Sequence, residues 1–165
     1  MIINVMSLKA ANNEIKNNPE KRSNWISIRE RDFPELYDEI DRLCKNICKV
    51  DFDDVTHYDE KHDLIHQFFK EVKKHRDLIH FNEIHAKQIF EFASKIYKLN
   101  EPLNIHCYAG HSRSQAIGYV LNVYFNLIKT RNLTDFNRNL QNNNLAFRGN
   151  SDVIKIMNEE IMKHV

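Results

Sequence analysis

Short apolar runs alternate along the chain with stretches in which apolar residues recur at helical spacing, the pattern of strands interleaved with helices around a largely parallel sheet. Four runs predict strands: Ile2 to Met6, Trp25 to Arg29, Val50 to Val55, and Leu103 to Cys107. Between the second and third, Leu36, Ile40, Leu43, Cys44 and Ile47 share one helical face behind Pro34, a residue suited to a first helical turn. A second helix is predicted from Asn82 to Lys98, with Ala86, Ile89, Phe90 and Ala93 on one face and Asn100 and Pro102 ending it. Beyond Cys107, the spacing of Ile117, Val120, Leu121, Tyr124 and Ile128 predicts a third helix from about Ser114, and a last one runs from about Ser151 to Lys163. The expected fold is α/β, a single domain whose central, mostly parallel sheet is flanked by helices. Two segments fit this plan less well. His57 to Phe81 carries Leu64, Ile65, Phe68, Phe69 and Val72 within dense charge and reads as a lid or an excursion from the core. Thr130 to Asn150, with its run NRNLQNNN, reads as a surface loop.

Composition narrows the class. A chain of 165 residues fits one domain, and three glycines with three prolines are too few for an all-β fold built on tight turns. A formal charge of +1 offers no overall field for DNA, RNA or an anionic membrane, so neither nucleic acid nor membrane is expected as a partner. Three cysteines without regular spacing point to a reducing compartment. The apolar runs fall short of the roughly 18 residues of a membrane span, and the start MIINVMSLKAANNEIKN lacks a signal peptide's apolar stretch and cleavage site. A cytosolic protein is therefore expected.

One segment carries chemistry. LNIHCYAGHSRSQAIGYVL is a short apolar strand, a loop containing a glycine, and an amphipathic helix. Backbone amides turning into a helix N-terminus converge on one point, where the helix dipole adds partial positive charge, so this architecture can cradle a phosphate. Cys107 opens the loop and Arg113 closes it, which lets a thiol and a guanidinium face the same anion. Arg113 can grip two phosphate oxygens at once. The same field favours the thiolate form that acts as a nucleophile. Ser114 could donate a hydrogen bond to Cys107 and help the sulfur leave a phosphocysteine, and His106 is expected to orient the loop by hydrogen bonding rather than act as a base.

His106-Cys107-Tyr108-Ala109-Gly110-His111-Ser112-Arg113-Ser114 resembles the signature loop of the cysteine-dependent protein tyrosine and dual-specificity phosphatases, HCxAGxSRS, at seven of nine positions. The resemblance extends through FDDV (Phe52 to Val55), FNEIHAKQIFEF (Phe81 to Phe92) and WISIR (Trp25 to Arg29), segments similar to small predicted phosphatases of bacteria and viruses. It implies metal-free hydrolysis of phosphomonoesters without a cofactor, Cys107 acting as nucleophile and Tyr108, Ala109, Gly110, His111, Ser112 and Arg113 binding the phosphate. A phosphorylated protein is the implied substrate, phosphotyrosine first and phosphoserine or phosphothreonine as further candidates. His111 stands where the dual-specificity enzymes commonly carry an aliphatic residue. The general acid is sought in FDDV, on a strand expected to lie beside that of Cys107. Asp53 and Asp54 are both candidates, the resemblance favouring Asp54, with Asp59 and Asp63 next in line. These aspartates precede Cys107 by more than 40 residues, a gap that an insertion after His57 accounts for.

Two other functions compete with turnover by a protein phosphatase. One is an inactive module that recognises phosphate, and the other an RNA 5′-phosphatase, which the SRS ending of the loop disfavours. Six histidines lie between His57 and His85, and His62 and His66 share a helical spacing, but no fixed ligand set accompanies them, so no metal site is assigned. Cys44 and Cys48 are expected on one helical face filling the core, with a resolving role toward an oxidised Cys107 as the lesser reading. KEVKKHR, Arg29 and Arg31 read as surface charge.

Overall fold

A computed structural model describes residues 1–55, 77–130 and 149–164. Four strands, β1 (Ile3–Ser7), β2 (Asn24–Arg29), β3 (Asn46–Asp51) and β4 (Leu103–Cys107), form an all-parallel sheet in the order β1-β4-β2-β3. Among the described residues five α-helices flank it: α1 (Leu8–Asn17), α2 (Asp38–Leu43), α3 (Glu83–Leu99), α4 (Arg113–Thr130) and α5 (Ser151–Met162). The expected α/β fold is the one observed. Among the described residues no helix is long and apolar enough to cross a membrane.

Alternation along the strands sends side chains to two cores. Ile26, Ile28, Cys48, Val50, Leu103, Ile105 and Cys107 pack with the buried faces of α3, α4 and α5. On the opposite face Trp25 packs with Leu8, Ala11 and Ile15 of α1 and with Ile40 of α2. The α4 helix crosses β1 so closely that a Cβ on Gly118 would lie 2.4 Å from Val5 Cγ2, so the glycine permits that approach.

The helix ends follow from local chemistry. Asn82 caps α3, its side chain accepting from the amides of Ile84 and His85, and Asn100 ends the helix in the left-handed conformation at φ 54°. Helix α1 has no counterpart among the predicted elements, although Ser7 caps it by accepting from the Ala10 amide and Leu8, Ala11 and Ile15 line its buried face. Its polar remainder, KxxNNExKN, hides that spacing in the sequence.

The segment from Pro34 to Val55 differs from expectation. The predicted helix shrinks to a 3₁₀ turn (Pro34–Tyr37) and the short α2, and the third strand starts at Asn46 and ends at Asp51. Ile47 and Cys48 are therefore strand residues, paired with Trp25 and Ile26 of β2. A short apolar run satisfies both helical and strand spacing, and here the ladder with β2 decides. Residues 56–76 and 131–148, and with them most of the expected lid and surface loop, His57, His62, His66, Asp59 and Asp63, lie outside the described residues; the described ends depart from those expectations, Phe81 being buried in the core and Asn150 buried ahead of α5.

Candidate active site

The strand order places a topological switch point at β4, which lies between β1 and β2, and ligand sites of parallel sheets form at the carboxyl ends of strands flanking such a point. Cys107 is the last residue of β4, paired with Ser7 of β1, and residues 108–112 turn from it into α4. Gly110 is the turn's pivot, with φ 78°. A Cβ there would lie 2.6 Å from Ser7 N and 2.8 Å from Met6 C, backbone atoms of β1 that cannot move aside. Two bonds tie the loop down: the Leu8 amide donates to Tyr108 O (3.2 Å) and Gln115 Nε2 donates to Gly110 O (3.2 Å).

Cys107 is 1% exposed. The Gly110 amide donates to its Sγ at 3.2 Å, and the Ser114 hydroxyl lies 3.1 Å from the same sulfur. Since α4 begins at Arg113, the amides of its first turn have no acceptor within the helix and remain available to an anion.

Arg113 is anchored from behind. Its side chain is 3% exposed, with Nη1 donating to Phe52 O and Nη2 to Glu30 Oε1, each at 2.9 Å. Its Nε is buried with no hydrogen-bond partner among the described residues. An unmet buried donor costs about 1–3 kcal/mol, which an oxyanion oxygen would relieve. Glu30 is itself positioned, its amide donating to the Tyr37 hydroxyl at 3.0 Å.

His106 is fully buried, its Nε2 2.8 Å from Ser27 Oγ, and Arg29 Nε donates to that hydroxyl at 3.0 Å. Arg29 is mostly covered rather than the surface charge expected of it, because it bridges Ser27, the face of Tyr37 at 5.0 Å, and Asp41. The Arg29 hydrogen bond holds Asp41 down to about 2. Burial, reinforced by the charge of Arg29, pushes His106 down to about 3, so the imidazole is neutral at physiological pH and orients the strand end. Because the folded state keeps His106 unprotonated, its contribution to stability is complete above the unfolded pKa near 6.5 and is lost as pH falls toward 3. Between pH 7 and pH 5 the wild type should lose about 2 kcal/mol that a His106→Asn variant does not lose. Urea midpoints of both proteins at the two pH values measure the difference, and equal losses would refute it.

The two candidate acids part company. Asp53 is buried; its amide donates to Ile79 O at 2.8 Å and its Oδ2 accepts from the Ile79 amide at 2.9 Å, so it joins the chain on either side of residues 56–76. Asp54 reaches the loop between β4 and α4 instead. Its Oδ1 accepts from Ser112 Oγ at 2.7 Å and from Asn150 Nδ2 at 3.1 Å. Neither aspartate lies on a strand beside β4, as was expected: both follow the end of β3, and β2 separates β3 from β4. The chain beyond β3 nevertheless closes over the loop, because Phe52 O accepts from Arg113.

Of the remaining loop residues, Tyr108, Ala109 and His111 are exposed, Tyr108 at 56%, whereas Gly110 is buried and Ser112 partly buried. Cys48 is excluded as a resolving partner by register. It pairs with Ile26, which pairs with Ile105, so it sits two strands from β4, about 10 Å away and past the roughly 7 Å Cα limit for a disulfide. Burial pushes Cys48 up to about 12 and Cys44 up to about 11, which disfavours the reactive thiolate form of both. Glu30, Tyr37, Ser27 and Asn150 escaped the sequence reading. Only Asn150 had a local signal, as a cap residue before the apolar spacing of α5, and nothing local announces its bond to Asp54.

No known protein-family profile matches the chain, and no curated protein is significantly similar to it.

Proposed function

We propose that this protein hydrolyses phosphomonoesters through a phosphocysteine, with phosphotyrosine in proteins as the leading substrate. The observation that carries the reading is the buried Arg113, fastened at Phe52 and Glu30 with its Nε unpaired, on the same loop as a cysteine whose sulfur meets the Gly110 amide and the Ser114 hydroxyl. Such a loop can hold the equatorial oxygens of a phosphoryl group while Cys107 Sγ attacks phosphorus from below. The S–P bond forms as the ester O–P bond breaks, and Asp54 gives its proton to the leaving oxygen. Among the described residues both donors to Asp54 reach Oδ1, and Oδ2 is the oxygen assigned to carry that proton. Water then attacks phosphorus and returns a proton to Asp54, and the S–P bond breaks while the Ser114 hydroxyl stabilises the departing thiolate.

Sustained release of p-nitrophenol from p-nitrophenyl phosphate, unaffected by a chelator, tests the reading; tight phosphopeptide binding without any release would leave recognition alone. The acid has its own test. Protonation matters most for a basic leaving oxygen, so Asp54→Asn should lose about a hundredfold on a phosphotyrosine peptide and far less on p-nitrophenyl phosphate. Asp53→Asn should show no such selectivity, since its carboxylate is engaged with Ile79. If the two variants exchanged behaviours, the acid would be Asp53.

A further inference from the structure

Among the described residues the Asn150 side chain makes four hydrogen bonds and uses both ends of its amide. Oδ1 accepts from the amides of Asp152 and Val153, each at 3.1 Å, and so caps α5. Nδ2 donates to Asp54 Oδ1 at 3.1 Å and to Val55 O at 3.3 Å. The orientation of the amide is unambiguous, because exchanging its oxygen and nitrogen would set an acceptor against a carboxylate and donors against helix amides. The residue is 4% exposed. Capping alone does not require asparagine, since serine or aspartate caps a helix as well. A serine or threonine hydroxyl must accept and donate through one atom, whereas asparagine accepts from the helix at Oδ1 and donates to the carboxylate on its far side from Nδ2.

We infer that Asn150 is a positioning residue for the general acid, holding Asp54 Oδ1 from the α5 side while Ser112 holds the same oxygen from the phosphate loop. The carboxyl group is thereby fixed in rotation, with Oδ2 presented to the leaving oxygen. Helix α5, packed on α3 and α4, becomes the rigid support of the acid loop. This inference rests on the phosphatase reading above and on Asp54 as the acid.

Two small substrates that differ in the leaving group separate positioning from general stability: phenyl phosphate, whose phenolate is about as basic as a tyrosinate, and p-nitrophenyl phosphate. Asn150→Ser retains a cap but is too short to reach Asp54 as the amide does, and Asn150→Gly keeps most of the cap without any side-chain donor. Both variants should lose about tenfold or more in kcat on phenyl phosphate, less than about threefold on p-nitrophenyl phosphate, and leave KM unchanged. Thermal unfolding monitors whether each variant is folded. In an Asp54→Asn background the Asn150→Ser change should cost less than about twofold on either ester, because the group it positions is gone. Equal losses on both esters, or a loss that persists in the double variant, would overturn the role of Asn150 while the phosphatase reading stands. Absence of wild-type turnover on both esters would overturn the two together.

Discussion

Cys107→Ser should abolish phosphate release, by about a thousandfold or more, while the protein still binds inorganic phosphate with an affinity within about tenfold of the wild type. The two halves have separate causes. A serine hydroxyl stays protonated at neutral pH and is a poor nucleophile, so the covalent step fails. The binding elements survive, because the loop is tied by Leu8 at Tyr108 O and by Gln115 at Gly110 O, Arg113 by Phe52 and Glu30, and the amides of the first turn of α4 by the helix itself. Serine is also smaller than cysteine, so the turn needs no rearrangement. Isothermal titration with phosphate reads the binding and p-nitrophenol release the turnover. Turnover near the wild-type rate would remove Cys107 from the nucleophile's role.

Arg113→Lys should cost about a hundredfold in kcat/KM, roughly 2.7 kcal/mol of transition-state stabilisation. Charge is conserved, so the loss isolates geometry. The guanidinium divides its three nitrogens among Phe52 O, Glu30 Oε1 and an open position at Nε. A single ammonium cannot serve the anchor and the anion together, nor offer two parallel hydrogen bonds to a phosphoryl group. Held by Glu30, the lysine would be withdrawn from the phosphate; turned toward the phosphate, it would leave a largely buried carboxylate unpaired. A loss below tenfold, about 1.4 kcal/mol, would contradict the clamp. Thermal unfolding of the variant separates a catalytic loss from an unfolded fraction.

The candidate site draws on nearly every part of the chain. The proposed nucleophile ends β4, the proposed clamp opens α4, its anchor Glu30 follows β2, the proposed acid follows β3, and the residue proposed to support that acid precedes α5. The carboxyl edge of a parallel sheet brings these positions together because every strand runs the same way and releases its loop at the same edge.

The amino-acid sequence by itself determined the parts of this protein whose physics is local. Cys107, Gly110, Arg113 and Ser114 are within eight residues of one another, and a strand, a turn and a helix start are all that is needed to bring a thiol and a guanidinium to one point. Likewise α3 is delimited by Asn82 and Asn100, whose side chain and backbone set its ends without help from the rest of the fold. Tertiary structure alone decided the order of the strands, which puts β2 between β3, the strand that Asp54 follows, and β4, the strand that Cys107 ends. It also decided the start of β3 at Asn46, where helical and strand spacing coincide and pairing with β2 selects the strand. The bond from Ser112 to Asp54, the clasp of Glu30 on Arg113 and the bond from Asn150 to Asp54 belong to the same class. They join residues 58, 83 and 96 positions apart, respectively Asp54 to Ser112, Glu30 to Arg113 and Asp54 to Asn150. Such contacts form only after the sheet and its helices have packed, so no periodicity or cap in the chain encodes them.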